Sequence, residues 1–482
     1  MKYLLGVDMG STALKACIFD EDGILYSQAI RSTPVISCKD RQERDMNELK
    51  RAVFGVIRRC IDDFDGNAEN IVCIGCTGHG KGLYPIDKNK EIICNAIAST
   101  DRRAEKLAED YRKSKEYIMS KALSLQPIAA CTPALLLRWL KENNSETYHN
   151  IGFCMSAKDY IRFVLTGEVH CEETDASGSG LVNLKTRQFD RELFRIYGIE
   201  DKFPSFKSLI KCTDIAGSVT AAAAGETGLA EGTPVCGGMF DIDACALSCG
   251  EITDGDICVV TGTWSINQFP SNLPETGCDS TRVSLYCDGK RYLIEESSAT
   301  SAGNLEWCIN ELFDGISYRE INTIISEYRA NDCETVFVPF LYGSIYENKR
   351  GAFLNLDIDT TRRDMVRAVA EGVAFAHRVH IERLLLTDKT RSTVKIAGGA
   401  VKSSEWMRIF ADVLGMTVVP VAVKESGCFG AAVAASVAVG IHPDVEKAAK
   451  KMARVGEPVF PDMSEHENYA KKFEVFKEYA GV

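Results

Sequence analysis

A run of apolar residues near the N-terminus ends in Asp8-Met9-Gly10-Ser11-Thr12, and Lys15 follows three positions later. A glycine-hydroxyl turn of this kind offers N–H and O–H donors to phosphate oxygens. Asp8 could hold Mg²⁺ through water, and Lys15 on the returning strand adds a point charge. Alone, such a turn is also a common way to end a strand. Gly262-Thr263 repeats it in the second half, and two opposed turns could grip the phosphates of one nucleotide. Gly398-Gly399-Ala400-Val401 opens a helix, where glycine lets an adenine or ribose approach the backbone. Asp241 and Asp243, in Gly237-Gly238-Met239-Phe240-Asp241-Ile242-Asp243, are the candidate general bases. Either serves equally well as a helix N-cap.

Stepping outward, Tyr3 to Asp8, Ala13 to Asp20 and Ile24 to Ile30 read as strands, the last two joined by Asp20-Glu21-Asp22-Gly23. Met46 onward is helical, with Leu49, Val53, Val56, Ile57 and Cys60 on one face. Ile71 to Cys76 is a buried strand leading into Thr77-Gly78-His79-Gly80-Lys81-Gly82, and its Cys73-x-x-Cys76 is read as strand interior rather than a redox or metal pair. Asp256 to Phe269 repeats the plan of strand, glycine turn and returning strand, which implies an internal duplication. Thr361 to Leu386 is a helix capped by Thr360 or Thr361. Strand 393–397, helix 403–414 and the small-residue helix 427–439 follow, and the tail from Glu446 to Val482 reads as helical and surface-lying. The expected fold is α/β, with two domains, 1–245 and 246–482, facing each other across a cleft.

Composition narrows the function. The chain has 482 residues, 45% hydrophobic and 26% charged, enough for more than one cored domain and too apolar for a disordered chain. Net charge is −12 and no Lys/Arg stripe offsets it, so neither nucleic acid nor an anionic membrane is an expected partner. The N-terminus has no signal-peptide pattern and the 19 cysteines follow no pairing framework, so a reducing, cytoplasmic setting is expected.

Taken together, these motifs resemble the FGGY carbohydrate kinases of the actin-like ATPase superfamily. The resemblance runs from about residue 2 to 440. It rests on the Asp8 turn, the 78–82 loop, Asp101-x-Arg103, Gly-x-x-Asp241, Gly262-Thr263, the Arg367–Phe375 segment, Gly398-Gly399-Ala400 and Gly427-x-x-Gly430-Ala431-Ala432. It implies two RNase-H-like domains closing on ATP and a sugar. Asp241, which stands in the family's register relative to Thr263 where Asp243 does not, would be the general base. Asp8 would carry Mg²⁺; Ser11, Thr12, Lys15, Gly262 and Thr263 would hold phosphates; Ala302, Glu306, Gly399 and Ser403 would hold adenosine. His79, Lys81, Asp101, Arg103 and Asp241 would face the sugar. D-xylulose kinases usually carry Met-His-Gly in the first loop and a Trp two residues before the Asp of the second. Here Gly80-Lys81-Gly82 and Ser99 look most like L-xylulose kinases, so L-xylulose is the expected substrate. Another pentulose (D-xylulose or ribulose) or a tetritol such as erythritol is the alternative within the enzyme class. An actin- or chaperone-like nucleotide switch is the alternative outside it. Homodimers are common in the resembling family.

Overall fold

A computed structural model of the chain describes residues 1–262, 264–278, 280–344 and 349–482. The first sheet is built from β1 (Tyr3–Met9), β2 (Ala13–Asp20), β3 (Leu25–Ser32), β4 (Ile71–Gly78), β5 (Ile215–Ser218) and β6 (Pro234–Cys236), in the order β5-β6-β4-β1-β2-β3; β7 (Met239–Phe240) also pairs with β4. β1 runs antiparallel to β2 and parallel to β4. The second sheet comprises β8 (Asp256–Thr261), β9 (Ser265–Ser271), β10 (Arg282–Leu285), β11 (Tyr292–Ser298), β12 (Thr393–Gly398), β13 (Thr417–Ala422) and β14 (Arg454–Val455), ordered β10-β11-β9-β8-β12-β13-β14. β8 is antiparallel to β9 and parallel to β12, as β1 is to β2 and β4. Both sheets also end in a parallel strand followed by an antiparallel one. The duplication read from two short turns is thus a duplication of whole sheets.

β1 and β8 are buried along nearly their whole length, so both faces of each sheet are covered, largely by helices. α1 (Met46–Asp62) buries Leu49, Val53, Val56, Ile57 and Cys60, the stripe expected from its period. α2 (Ala157–Thr166) and α3 (Glu173–Ser177) follow in the first half, and α4 (Asp241–Leu247) carries the chain toward the second sheet. There α5 (Gly303–Glu311), α6 (Arg362–Leu385), α7 (Ser404–Leu414), α8 (Ser426–Ala438) and α9 (Met463–Ala480) follow. Thr361 caps α6, accepting from the Asp364 N–H while Asp364 bonds back, a reciprocal pair worth about 1 kcal/mol. Gly398-Gly399 opens only a 3₁₀ turn (Gly399–Lys402) before α7 begins.

One placement differs from the sequence reading. The tail is not wholly surface-lying: α9 buries Tyr469, Phe473 and Phe476 in the second core, and Lys472 pairs with the buried Glu371 of α6. Aromatic burial outweighs the charges that made this helix look exposed. α8 lies against β1 and β4 of the first sheet, and its Phe429, Ala432 and Val433 share a core with Cys258, Val260 and Val421 of the second. A Cβ on Gly6 or Gly75 would collide with the carbonyls of Cys428 or Ala431, so bare α-carbons let helix and sheet touch backbone to backbone.

Candidate functional site

At the C-terminal end of β1, Asp8 lies beside Thr77 of β4, which in turn pairs with Met239 of β7. Three strand ends therefore bring Asp8, the 78–82 loop and the start of α4 together, where open α/β sheets place their ligands. Oδ1 of Asp8 is buried and has no hydrogen-bond partner among the described residues. Burial raises its carboxyl to about 6, against the pull of Lys15. The Lys15 ammonium is 2.7 Å from Glu425 Oε2, at the residue that precedes α8 with a left-handed backbone (φ 51°). Burial draws Lys15 down, but the bond to Glu425 more than offsets it. Ser11 and Thr12 are exposed at the tip of the turn, and the Ser11 carbonyl is held by Arg44.

On the opposite side, Gly262 follows β8, and its carbonyl accepts from Gly303 N–H at 3.4 Å, where α5 begins. Thr263 lies outside the described residues. Thr261 braces the region: its hydroxyl donates to Ala397 O (3.1 Å) and accepts from Ala400 N–H (3.2 Å), fixing the Gly398-Gly399 loop against the second turn. Ala302 is half-buried and Glu306 exposed at the start of α5. Ser403 caps α7 through Trp406 N–H and donates to Asn322 at 2.6 Å, so its hydroxyl is already engaged. Beneath lies a buried polar net: His377 of α6 reaches Asn267 (2.7 Å) and Ser265 (3.0 Å) with Nδ1, and Ser301 (3.0 Å) with Nε2. Asn267 Oδ1 only accepts, which puts the ring proton on Nδ1 and leaves Nε2 to accept from Ser301.

The two candidate bases part company. Asp243 is fully buried and its Oδ1 accepts from Cys287 N–H at 2.9 Å, tying α4 to the turn after β10. Asp241, the first residue of α4, remains partly open, and no side chain among the described residues hydrogen-bonds it. Burial, then the charges of Asp8, Asp175 and Glu295, raise its carboxyl well above the usual range. The loop beside it is built tightly. His79 donates its backbone N–H to Met9 O (2.9 Å), its ring meets Tyr84 OH at 3.2 Å, and burial keeps it neutral, down to about 4. Lys81 adopts φ 64° between two glycines and makes no ion pair among the described residues. Burial lowers it, and the like charge of Arg282, from the second half, lowers it further.

Asp101 and Arg103 are instead committed to each other. Arg103 meets Asp101 Oδ1 at 2.9 Å and Glu43 Oε1 at 2.6 Å, and stacks 5.4 Å from the Trp139 ring; Asp101 also accepts from Gln42 N–H at 2.7 Å. Glu425 and Asp175 escaped the sequence reading. A lone Glu before a small-residue helix and an Asp inside a polar stretch carry no local signal, although the strain of Glu425 is visible once the backbone is known.

Family comparison decides what this site belongs to. Residues 3–248 match the N-terminal domain, and 257–439 the C-terminal domain, of the FGGY family of carbohydrate kinases. The chain belongs to that family. It is therefore a sugar phosphotransferase with two RNase-H-like domains of the actin-like ATPase superfamily. It is similar to a probable L-xylulose kinase of Haemophilus influenzae, 35% identical with 98% of this chain and 97% of the relative covered. It is also similar to an L-xylulose/3-keto-L-gulonate kinase of Escherichia coli, at 33% with 99% and 96% covered. In fold it matches a ligand-bound xylulose kinase from Lactobacillus acidophilus (TM-score 0.90, 23% identity, 100% and 98% covered). A Plasmodium falciparum glycerol kinase with ADP matches at TM-score 0.87, with 20% identity and 100% and 99% covered. No described helix is long and apolar enough to cross a membrane.

Proposed function

We propose that this FGGY kinase transfers the γ-phosphoryl group of ATP to L-xylulose, giving L-xylulose 5-phosphate, with Asp241 as general base. The observation that carries the base assignment is the contrast within one turn of α4. Asp243 is fully buried against Cys287 N–H. Asp241 stays partly open, meets only the backbone of its neighbour Ile242 and no side chain among the described residues, and lies near the charges of Asp8, Asp175 and Glu295. A carboxylate made more basic by burial takes the proton of the attacking hydroxyl readily, and such a base adds about 10²–10⁴-fold. Lys15, the 10–12 turn and the Gly262 turn position the transferring group, and positioning with charge stabilisation supplies most of the rate. Asp8 fits a hydrated Mg²⁺: one buried carboxylate oxygen lacks a partner, and no cluster of three ligating side chains exists among the described residues. One carboxylate completed by water and phosphate oxygens is how Mg²⁺ is usually held, and bound there it would offset phosphate charge. His79 and Lys81 face the sugar; Asp101 and Arg103 tie their own segment to Gln42 and Glu43.

Full-length similarity to two proteins named for L-xylulose supports the substrate. A second reading, a ketose bearing a carboxylate, is favoured by Lys81, which has no ion pair among the described residues and feels the like charge of Arg282. Asp241→Asn should bind ATP and sugar yet lose turnover by about 10²-fold or more, measured by ADP release and calorimetry. An active Asp241→Asn alongside a dead, folded Asp243→Asn would transfer the role to Asp243.

A further inference from the structure

Among the described residues no side chain hydrogen-bonds the Asp241 carboxylate, so its direction is set by the backbone that carries it. That backbone is gripped on both sides. One residue before it, Phe240 N–H donates to Thr174 Oγ1 at 2.9 Å. One residue after it, Ile242 O accepts from Gln268 Nε2 at 2.9 Å. Thr174 belongs to α3 in the first half and Gln268 to β9 of the second sheet, and both are fully buried. The Thr174 hydroxyl cannot turn away: it donates to Glu172 Oε2 at 2.7 Å, and Glu172 is fixed by Lys158 at 3.3 Å. With its proton committed to a carboxylate, the oxygen presents a lone pair to Phe240 N–H. Two residues upstream of β7, Gly237 O accepts from Arg162 at 2.6 Å, so the approach to Asp241 is held as well.

We propose that Thr174 and Gln268 are positioning residues for catalysis, a clamp drawn from the two halves that aims the Asp241 carboxylate at the acceptor hydroxyl. The inference rests on Asp241 being the base. Because one jaw comes from each half, the base is aimed only while the second sheet keeps its seat against α4. Neither residue touches the reacting atoms, so loss of the clamp changes kcat and leaves ground-state binding alone.

The test is steady-state kinetics on full-length Thr174→Val, Thr174→Ser and Gln268→Met, with Asp241→Asn in parallel, using Mg-ATP and whichever ketopentose the wild type turns over. Valine keeps the shape of threonine without the hydroxyl, serine keeps the hydroxyl, and methionine keeps the length of glutamine without its amide. Thr174→Val and Gln268→Met should each lower kcat by about 10- to 100-fold, with both KM values within about 2-fold. Thr174→Ser should restore most of the loss. If Thr174→Val does not fold, Gln268→Met and Thr174→Ser decide the matter. Clamp variants with wild-type kcat, or with raised KM and unchanged kcat, overturn the proposal while a dead Asp241→Asn leaves the base in place. An Asp241→Asn enzyme that turns over normally overturns both.

Discussion

A Cβ on Gly427 would collide with the carboxylate of Asp8, although 419 positions of sequence separate the two residues. The first turn of α8 thus forms one wall of the Asp8 site, and its glycine is the space that carboxylate occupies. Gly to Ala within an open helix stabilises by about 1 kcal/mol. Here Gly427→Ala should give no such gain, because Asp8 must shift. Turnover should fall by about 10-fold or more, with the Mg²⁺ concentration for half-activity raised. Kinetics across a Mg²⁺ series checks this; wild-type behaviour would mean the helix end can yield.

Burial of His377 makes stability depend on pH. Its folded ring protonates only near 3, against 6.5 for a free imidazole. Between those values the unfolded chain binds the extra proton, so stability is complete above 6.5 and declines as the pH falls. The loss from this residue should be about 2 kcal/mol at pH 5. His79, down to about 4, adds a contribution of the same sign. Urea unfolding at pH 8 and pH 5 should show a smaller difference for His377→Asn than for wild type. Equal differences would remove His377 from the account.

In the proposed site Lys81, which has no ion pair among the described residues, is the sugar's cationic partner. Replacement by Met should raise the KM for L-xylulose about 10-fold, the worth of one charged hydrogen bond, and leave the KM for ATP unchanged. On a carboxylated ketose the loss should be larger. Equal losses for both nucleotide and sugar would place Lys81 in the scaffold.

Local pattern made much of this molecule legible. The Asp8 and Gly262 turns stood out because a glycine-hydroxyl pair interrupts two apolar strands, and α6 because Thr361 and Asp364 sit at capping spacing. Long-range placement was not legible. Nothing near Gly6 or Gly75 announces that Cys428 and Ala431 will rest on them, since each glycine is explained only by its distant partner. The partners of the loop charges were hidden for a similar reason: Glu43, which holds Arg103, stands sixty residues upstream of it. In the sequence only family register separates Asp241 from Asp243; the fold adds that Asp243 accepts a backbone N–H from Cys287.

The most direct measurement is ADP release from Mg-ATP with L-xylulose, D-xylulose, L-ribulose, D-ribulose, erythritol and glycerol in turn. The account predicts strong stimulation by L-xylulose, weaker turnover of the other pentuloses and little with glycerol. Preference for another sugar would contradict the reading of Lys81 while keeping the kinase. Slow ATP hydrolysis indifferent to every sugar would contradict the proposed reaction itself.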